Sequence, residues 1–372
     1  MLTALAIMIL LAAASAGAIA FGASRFFAAR TFLQDRPNGR SAHRAMTPRS
    51  GGIAIFAGFA AATALFIAFL TVFSHQDAGA YLIFFLFAFF AFLFGALDDA
   101  RALGARLKLL TQILIACGFV ALAGAVEQIP APFVGELDLG GAAFALTVLW
   151  IVAFMNVFNF MDGINGIAAS CALFVLAALA VSAAGSAAVF APQALFLACA
   201  LFGFLPLNLS QGRIFMGDSG SQFAGFSIAA LAVLTVRNGD SGVSAMFVPI
   251  AFLPFIFDVA FTLIHRAARR RNIFAAHNEH LYQLLVRLGG SHEAVTTLYL
   301  TLVVVTTTIA LVANSFGAGV QYALAAGLVC AFLPAALAIK ARARKAGLYS
   351  GGAEIARKEP SVEDGAFRTA AE

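Results

Sequence analysis

Eleven stretches of this chain are apolar for long enough to cross a lipid bilayer, and no soluble fold accommodates that many. They run at about residues 2–24, 51–73, 80–97, 108–126, 143–158, 167–185, 194–208, 221–236, 244–264, 293–313 and 320–339. A helix needs about 20 mostly apolar residues to cross about 30 Å of hydrocarbon. Within that layer the backbone must satisfy its own hydrogen bonds, which here means helices. The runs at 143–158, 194–208 and 221–236 are short or interrupted. Composition agrees, since 62% of the 372 residues are hydrophobic and 11% are charged, against about half and about a quarter in soluble domains. The expected fold is an all-α polytopic membrane protein of about 11 transmembrane helices. A soluble enzyme, a nucleic-acid binder and a disulfide-rich secreted domain are excluded.

Charge placement orients the chain. With the amino terminus outside and the carboxyl terminus cytosolic, 22 of the 23 lysines and arginines fall on the inside, and Arg237 alone lies outside. The excess of basic residues in inside segments is the positive-inside rule. It accounts for the pI of 9.3 without nucleic acid as a partner. The first run carries small residues around Ala12–Ala18, as a cleaved leader would. No basic residue precedes it, so it reads as a retained span. Residues 1–346 read as one polytopic unit, and 347–372 as a disordered cytosolic tail, being polar and mixed in charge. The four cysteines lie singly in apolar runs and read as small buried hydrophobes.

Polar residues that hydrocarbon should exclude mark function in such a chain, and they gather in the inside segments. Asp98-Asp99 ends the third run. Adjacent carboxylates repel unless a cation or basic partner lies between them. They fit a metal-facing acid beside a base, or equally a solvated helix end paired with Arg101. In Asn156-x-x-Asn159-x-x-Asp162-Gly163-x-Asn165-Gly166 the two leading asparagines share a helix face. The oxygen donors of this segment suit Mg²⁺. In Phe215-Met-Gly217-Asp218-Ser219-Gly220-Ser221 a glycine-flanked acid precedes a span, suiting either a phosphate at a helix amino terminus or a simple cap. Arg269-Arg270-Arg271 and His277-Asn-Glu-His280 follow in the longest inside segment between runs. Zinc would need a third ligand that is not evident there, so contact with an anion fits better. Asp258, inside the ninth run after Pro254, pairs with a basic group or lines the site. The first inside segment, Arg36 to Gly52, is basic and turn-rich.

In this combination the chain resembles the polyprenyl-phosphate N-acetylhexosamine-1-phosphate transferases, the glycosyltransferase 4 superfamily, in its O-antigen-initiating branch. The resemblance covers about residues 36–285. It rests on Pro37-Asn38…His43…Thr47-Pro48-x-x-Gly51-Gly52 and Leu97-Asp98-Asp99…Leu103…Lys108-Leu-Leu-x-Gln112, on the two motifs around Asp162 and Asp218, and on His277…His280. It implies that residues 1–346 are a transferase domain. It implies catalytic roles for Asp98, Asp99, Asp162 and His280, and metal ligation by Asp218 and Asn159. Asn156, Asn165, Asn208, Phe215, His43, Arg49, Lys108, Arg271 and His277 are implied to bind substrate, Phe215 by stacking on uracil. Many members carry a second acid where this chain has Asn165, and further histidines where it has Tyr282 and Gln283.

The resemblance implies transfer of a sugar 1-phosphate from a UDP-N-acetylhexosamine to undecaprenyl phosphate, with release of UMP. Mg²⁺ is the implied cofactor, with Mn²⁺ able to substitute. The setting would be the bacterial inner membrane, with the site on the cytosolic side, and a homodimer is compatible with it. A polytopic transporter is the alternative, and it predicts helix breaks and polar residues near the bilayer midplane. An inactive scaffold homologue is another. The enzyme reading requires Asp98, Asp162 and Asp218 to converge.

Overall fold

A computed structural model describes residues 2–30, 33–35, 47–73, 78–183, 190–209, 212–237, 242–273, 275 and 277–349. His43 lies outside the described residues, as does the tail from residue 350 onward. Gly347–Tyr349 are described, and the Leu348 carbonyl accepts a hydrogen bond from Arg287.

The first four long helices are α1 (Leu2–Ala28), α2 (Gly51–Val72), α3 (Gly79–Arg101) and α4 (Ala105–Ala123). Then come α5 (Ala143–Met161), α6 (Ile167–Ala183), α7 (Ala191–Leu209) and α8 (Gly217–Arg237). A broken pair follows, α9 (Phe247–Ala251) and α10 (Leu253–Ala268), then the short α11 (Leu281–Arg287). The chain closes with α12 (His292–Ala313) and α13 (Ala318–Lys345). Among the described residues nine helices are long and apolar enough to span, and α6 is an apolar helix of 17 residues. The remaining apolar run is the α9–α10 pair, broken at Phe252. Pro254, in the first turn of α10, has no N–H to continue the α9 ladder. The fold is all-α and polytopic, as expected.

Two small antiparallel hairpins complete it. One pairs β1 (Gln34–Asp35) with β2 (Thr47–Pro48), and the other pairs β3 (Gln128–Ala131) with β4 (Gly135–Asp138). The second lies at the opposite end of the bundle from the Asp98 turn, and Val126 N–H just before it donates to Thr147 of α5 at 3.0 Å.

Burial runs against hydropathy. Helix α8 has the lowest mean hydropathy of the nine spans, 1.4, yet 94% of its apolar window is buried. Its Gly, Ser and Ala residues face protein on all sides, and small residues let helix backbones approach closely without an apolar driving force. Helix α13, at mean hydropathy 2.1, is 6% buried and turns its side chains outward. Helix α1 packs on α2 and α7 through buried Ala12, Ala13, Ala16 and Ala20. The small residues that resemble a cleavage site are thus its packing face. The central α8 matters most for function, because its amino terminus sets the position of Asp218.

Candidate active site

The turn before α8 is clamped from two sides. Gly51 and Gly52 N–H groups, at the start of α2, donate to the carbonyls of Phe215 and Met216 at 2.9 and 2.8 Å. Phe215 N–H donates to Pro48 O at 2.8 Å. Gly217 has φ +70, and a Cβ there would lie 2.5 Å from Arg49 O and 2.7 Å from Asp99 Oδ2. Only glycine fits this left-handed, crowded position.

The acidic pair at the end of α3 has two separate jobs. Asp99 accepts from the Asp218 and Ser219 N–H groups at 2.8 Å each. A carboxylate so placed satisfies free amides at the start of α8 and meets the positive end of its dipole. Asp98 is 3% exposed, with its carboxylate beside that of Asp218. Its Oδ1 accepts from Leu103 N–H at 2.7 Å, holding the α3–α4 turn. Its Oδ2 forms an ion pair with Lys108. The sequence offered pairing with Arg101 or a shared cation. The basic partner that the structure places on Asp98 is Lys108.

Lys108 also reaches Asp218 Oδ2 at 3.3 Å, so one ammonium stands against two carboxylates. Asp218 Oδ1 accepts from Asn159 Nδ2 at 2.6 Å, and the same amide reaches Ser221 Oγ at 2.8 Å. Asp162, just past α5, is half-buried. Its pKa is pushed well above the usual carboxylate range by burial and by the charges of Asp218 and Asp99, with Arg49 opposing. Asp98, Asp99, Asp162 and Asp218 therefore converge, and negative charge exceeds what Lys108 and Arg49 bring.

That surplus, carried on hard oxygen donors, fits a divalent cation such as Mg²⁺. Among the described residues no three His, Cys, Asp or Glu side chains are grouped so as to hold a metal ion by themselves. Mg²⁺ needs no such group, since it binds through one or two carboxylates with water and substrate phosphate completing the shell.

Other expected substrate contacts are tied into the scaffold. Asn156 Nδ2 donates to Gln112 Oε1 at 2.7 Å and to Val152 O at 2.8 Å, and Gln112 donates onward to Gln222 at 2.9 Å. This chain joins α4, α5 and α8. Asn208 accepts from Gly166 N–H at 2.7 Å and donates to Ile214 O at 2.9 Å, linking the two motif loops. Asn165 offers its carbonyl to Thr296 at 2.7 Å, and its side chain lies against Gly212. Gln112 and Gln222, polar inside apolar helices, are detectable from that mismatch alone.

The histidine loop joins the site through Tyr282, whose phenol donates to Phe160 O at 2.9 Å. His280 is 2% exposed and stacks on Phe160 at 5.5 Å between centroids, with His277 at 4.9 Å. Burial, with His280 and Arg266 nearby, lowers the His277 pKa to about 4, so the ring is neutral at pH 7. Arg271 pairs with Glu279 at 2.7 Å, and Arg266 meets the same carboxylate at 2.9 Å. Tyr282 and Gln283 act as structural ties, since Gln283 Oε1 accepts from His280 N–H at 3.2 Å.

Comparison with known proteins points the same way. Residues 81–236 match the model of glycosyl transferase family 4. A probable undecaprenyl-phosphate N-acetylglucosaminyl 1-phosphate transferase of Bacillus subtilis is 35% identical, over 72% of this chain and 73% of that protein. The undecaprenyl-phosphate alpha-N-acetylglucosaminyl 1-phosphate transferase of Thermotoga maritima is 29% identical, over 71% and 76%. A decaprenyl-phosphate N-acetylglucosaminephosphotransferase of Mycobacterium tuberculosis is 30% identical, over 74% of each chain. With five motif loops hydrogen-bonded to one another at one end of the bundle, and similarity extending over most of both chains, the protein belongs to glycosyl transferase family 4.

Proposed function

We propose that the protein transfers N-acetylhexosamine 1-phosphate from a UDP-sugar to undecaprenyl phosphate, releasing UMP. The product starts a lipid-linked glycan, an O-antigen or a related envelope polysaccharide. The names of the relatives favour N-acetylglucosamine as the sugar. The observation that carries the reading is Lys108 held between Asp98 and Asp218, with Asn159 on the second acid.

Both reactants are anions, so the transfer needs charge neutralisation and alignment more than covalent chemistry. Asp98 takes the proton from the lipid phosphate, whose oxygen then attacks the donor's β-phosphorus in line as the bond to UMP breaks. Lys108 and Arg49 bring fixed positive charge to the phosphates. Asp218 and Asn159, with Asp162 beside them, would hold Mg²⁺ or Mn²⁺, and the ion when bound supplies charge to the diphosphate and the leaving UMP. Asp99 keeps the amino terminus of α8 in register, so Asp218 stays opposite Asp98. Phe215 offers its ring to the uracil. A polyprenyl acceptor stays in the bilayer, which places the site at the membrane surface.

The break at Phe252 is one feature a transporter would share. The carboxylate beside it, Asp258, is fully engaged by protein groups, which does not favour an ion pathway.

The decisive test incubates purified protein with Mg²⁺, polyprenyl phosphate and a panel of UDP-N-acetylhexosamines. UMP release dependent on acceptor and donor is expected, and no release with any donor would end the reading. Orientation has its own test in cells, on a background lacking the native cysteines. A membrane-impermeant maleimide should label Phe133→Cys, on the β3–β4 tip, and spare Arg213→Cys, both exposed positions. The reverse pattern would place the site outside.

A further inference from the structure

Asp258, in α10, is 0% exposed, and no step of the proposed transfer uses it. A buried carboxylate in a spanning segment is costly unless its environment compensates. The compensation here comes almost wholly from the histidine loop and the helix behind it. Oδ1 accepts from Leu281 N–H at 2.8 Å, and Oδ2 from Tyr282 N–H at 3.1 Å. Tyr299 of α12 donates to Oδ2 at 2.6 Å, and Thr262 to Oδ1 at 3.3 Å. His280 Nδ1 lies 3.3 Å from Oδ1.

One carboxylate thus grips the loop by two amides and faces the near nitrogen of His280. Neither ring nitrogen makes a full hydrogen bond among the described residues: Nδ1 has the Asp258 carboxylate within ion-pair distance, and Nε2 is buried with no partner. The ring plane is set by Phe160, and Tyr282 ties the same loop to the Phe160 carbonyl. Phe160 lies between Asn159 and Asp162, so the ring is fixed relative to the acidic cluster. A carboxylate at Nδ1 holds the proton on that nitrogen and fixes the imidazole's orientation, leaving Nε2 for other chemistry.

We propose that Asp258 is the positioning residue for His280: it holds Nδ1–H and the ring plane so that Nε2 is presented to the donor's sugar phosphate. The inference rests on the transferase reading and adds to it a residue that never touches substrate.

The test is a cycle of Asp258→Asn, His280→Gln and their double variant, with Tyr299→Phe as control. All are assayed for UMP release and checked for a monodisperse, cooperatively unfolding species in detergent. Asn at 258 would turn an NH₂ toward an amide or a ring nitrogen that needs an acceptor. Each single variant should lower kcat about 10²-fold with donor KM changed less than about threefold, the size of one lost proton-handling or orienting group. The double variant should be no slower than His280→Gln alone, because Asp258 acts through that ring. Tyr299→Phe removes a bond to the same carboxylate without touching His280, and should keep kcat within about threefold. Multiplying effects, full activity in Asp258→Asn, or an equal loss in Tyr299→Phe would each overturn the proposal.

If Asp258→Asn does not fold, wild-type protein labelled with ¹⁵N-histidine answers instead, His280→Gln identifying the resonance. A protonated Nδ1 is expected, and a bare Nδ1 overturns the proposal. Wild-type protein that releases no UMP would remove the transferase reading, while the same spectrum still decides the role of Asp258.

Discussion

Asp98→Asn lowers kcat about 10³-fold and leaves thermal unfolding near that of wild type, whereas Asp99→Asn loses stability together with activity. The difference follows from what each carboxylate touches. Asn at 98 keeps an oxygen for Leu103 N–H, so the α3–α4 turn survives. It cannot take a proton from a lipid phosphate, and it removes half of the charge facing Lys108. Asn at 99 must turn an NH₂ toward either the Asp218 or the Ser219 N–H, both of which need an acceptor. Losing a bond from a backbone amide to a charged acceptor costs about 2 kcal/mol, and the start of α8 would shift with it. Purified variants compared by UMP release and by detergent-phase unfolding separate the two. Equal stability loss in both, or turnover near wild type in Asp98→Asn, would remove the assigned division of labour.

That division was not legible in the sequence, although the pair itself was. Spacing along a chain shows which residues share a loop or a face. It does not show which backbone amide, 119 residues away, lies opposite a carboxylate. The same limit hid the scaffold roles of Asn156 and Asn208, whose partners sit on other helices. The burial cost of Asp258 could be read directly, but its partners Leu281, Tyr282 and Tyr299 could not. The spans were legible wherever they face lipid, because there hydropathy is the physical requirement. Helix α8 was the hard case. A helix surrounded by protein needs small residues more than apolar ones, so its run looked short and started late. The break at Phe252 was signalled by Pro254, yet proline is tolerated in spanning helices, and only the tertiary setting decides. The meeting of the five motif loops was the expectation on which the functional reading stood. The hydrogen bonds among them meet it.

Gly95→Ala should abolish most activity through a single methyl group, and Gly104→Ala, at the same end of the bundle, should not. A Cβ at Gly95 would press on the Asp218 carbonyl oxygen, with the carbonyl carbon at 2.6 Å and Ser219 Cα at 2.7 Å. All three are backbone atoms, so no side-chain rotation relieves the contact. Helices α3 and α8 must separate by about 1 Å to restore ordinary van der Waals distance. That movement draws Asp99 away from the amides it caps and Asp218 away from the ammonium it shares with Asp98. Misplacing reacting groups by about 1 Å costs about 10²-fold in rate. Helix α8 keeps its buried faces on α2 and α5, so the protein should still be recovered from membranes as a folded species. At Gly104, by contrast, an added methyl would meet nothing within 4 Å, and φ is an ordinary −69°. Its alanine variant should turn over within about twofold of wild type, an exposed loop change of the ordinary small kind. If Gly95→Ala were as active as Gly104→Ala, the close crossing of α3 and α8 would not be what aligns the acids, and the site geometry would have to be redrawn.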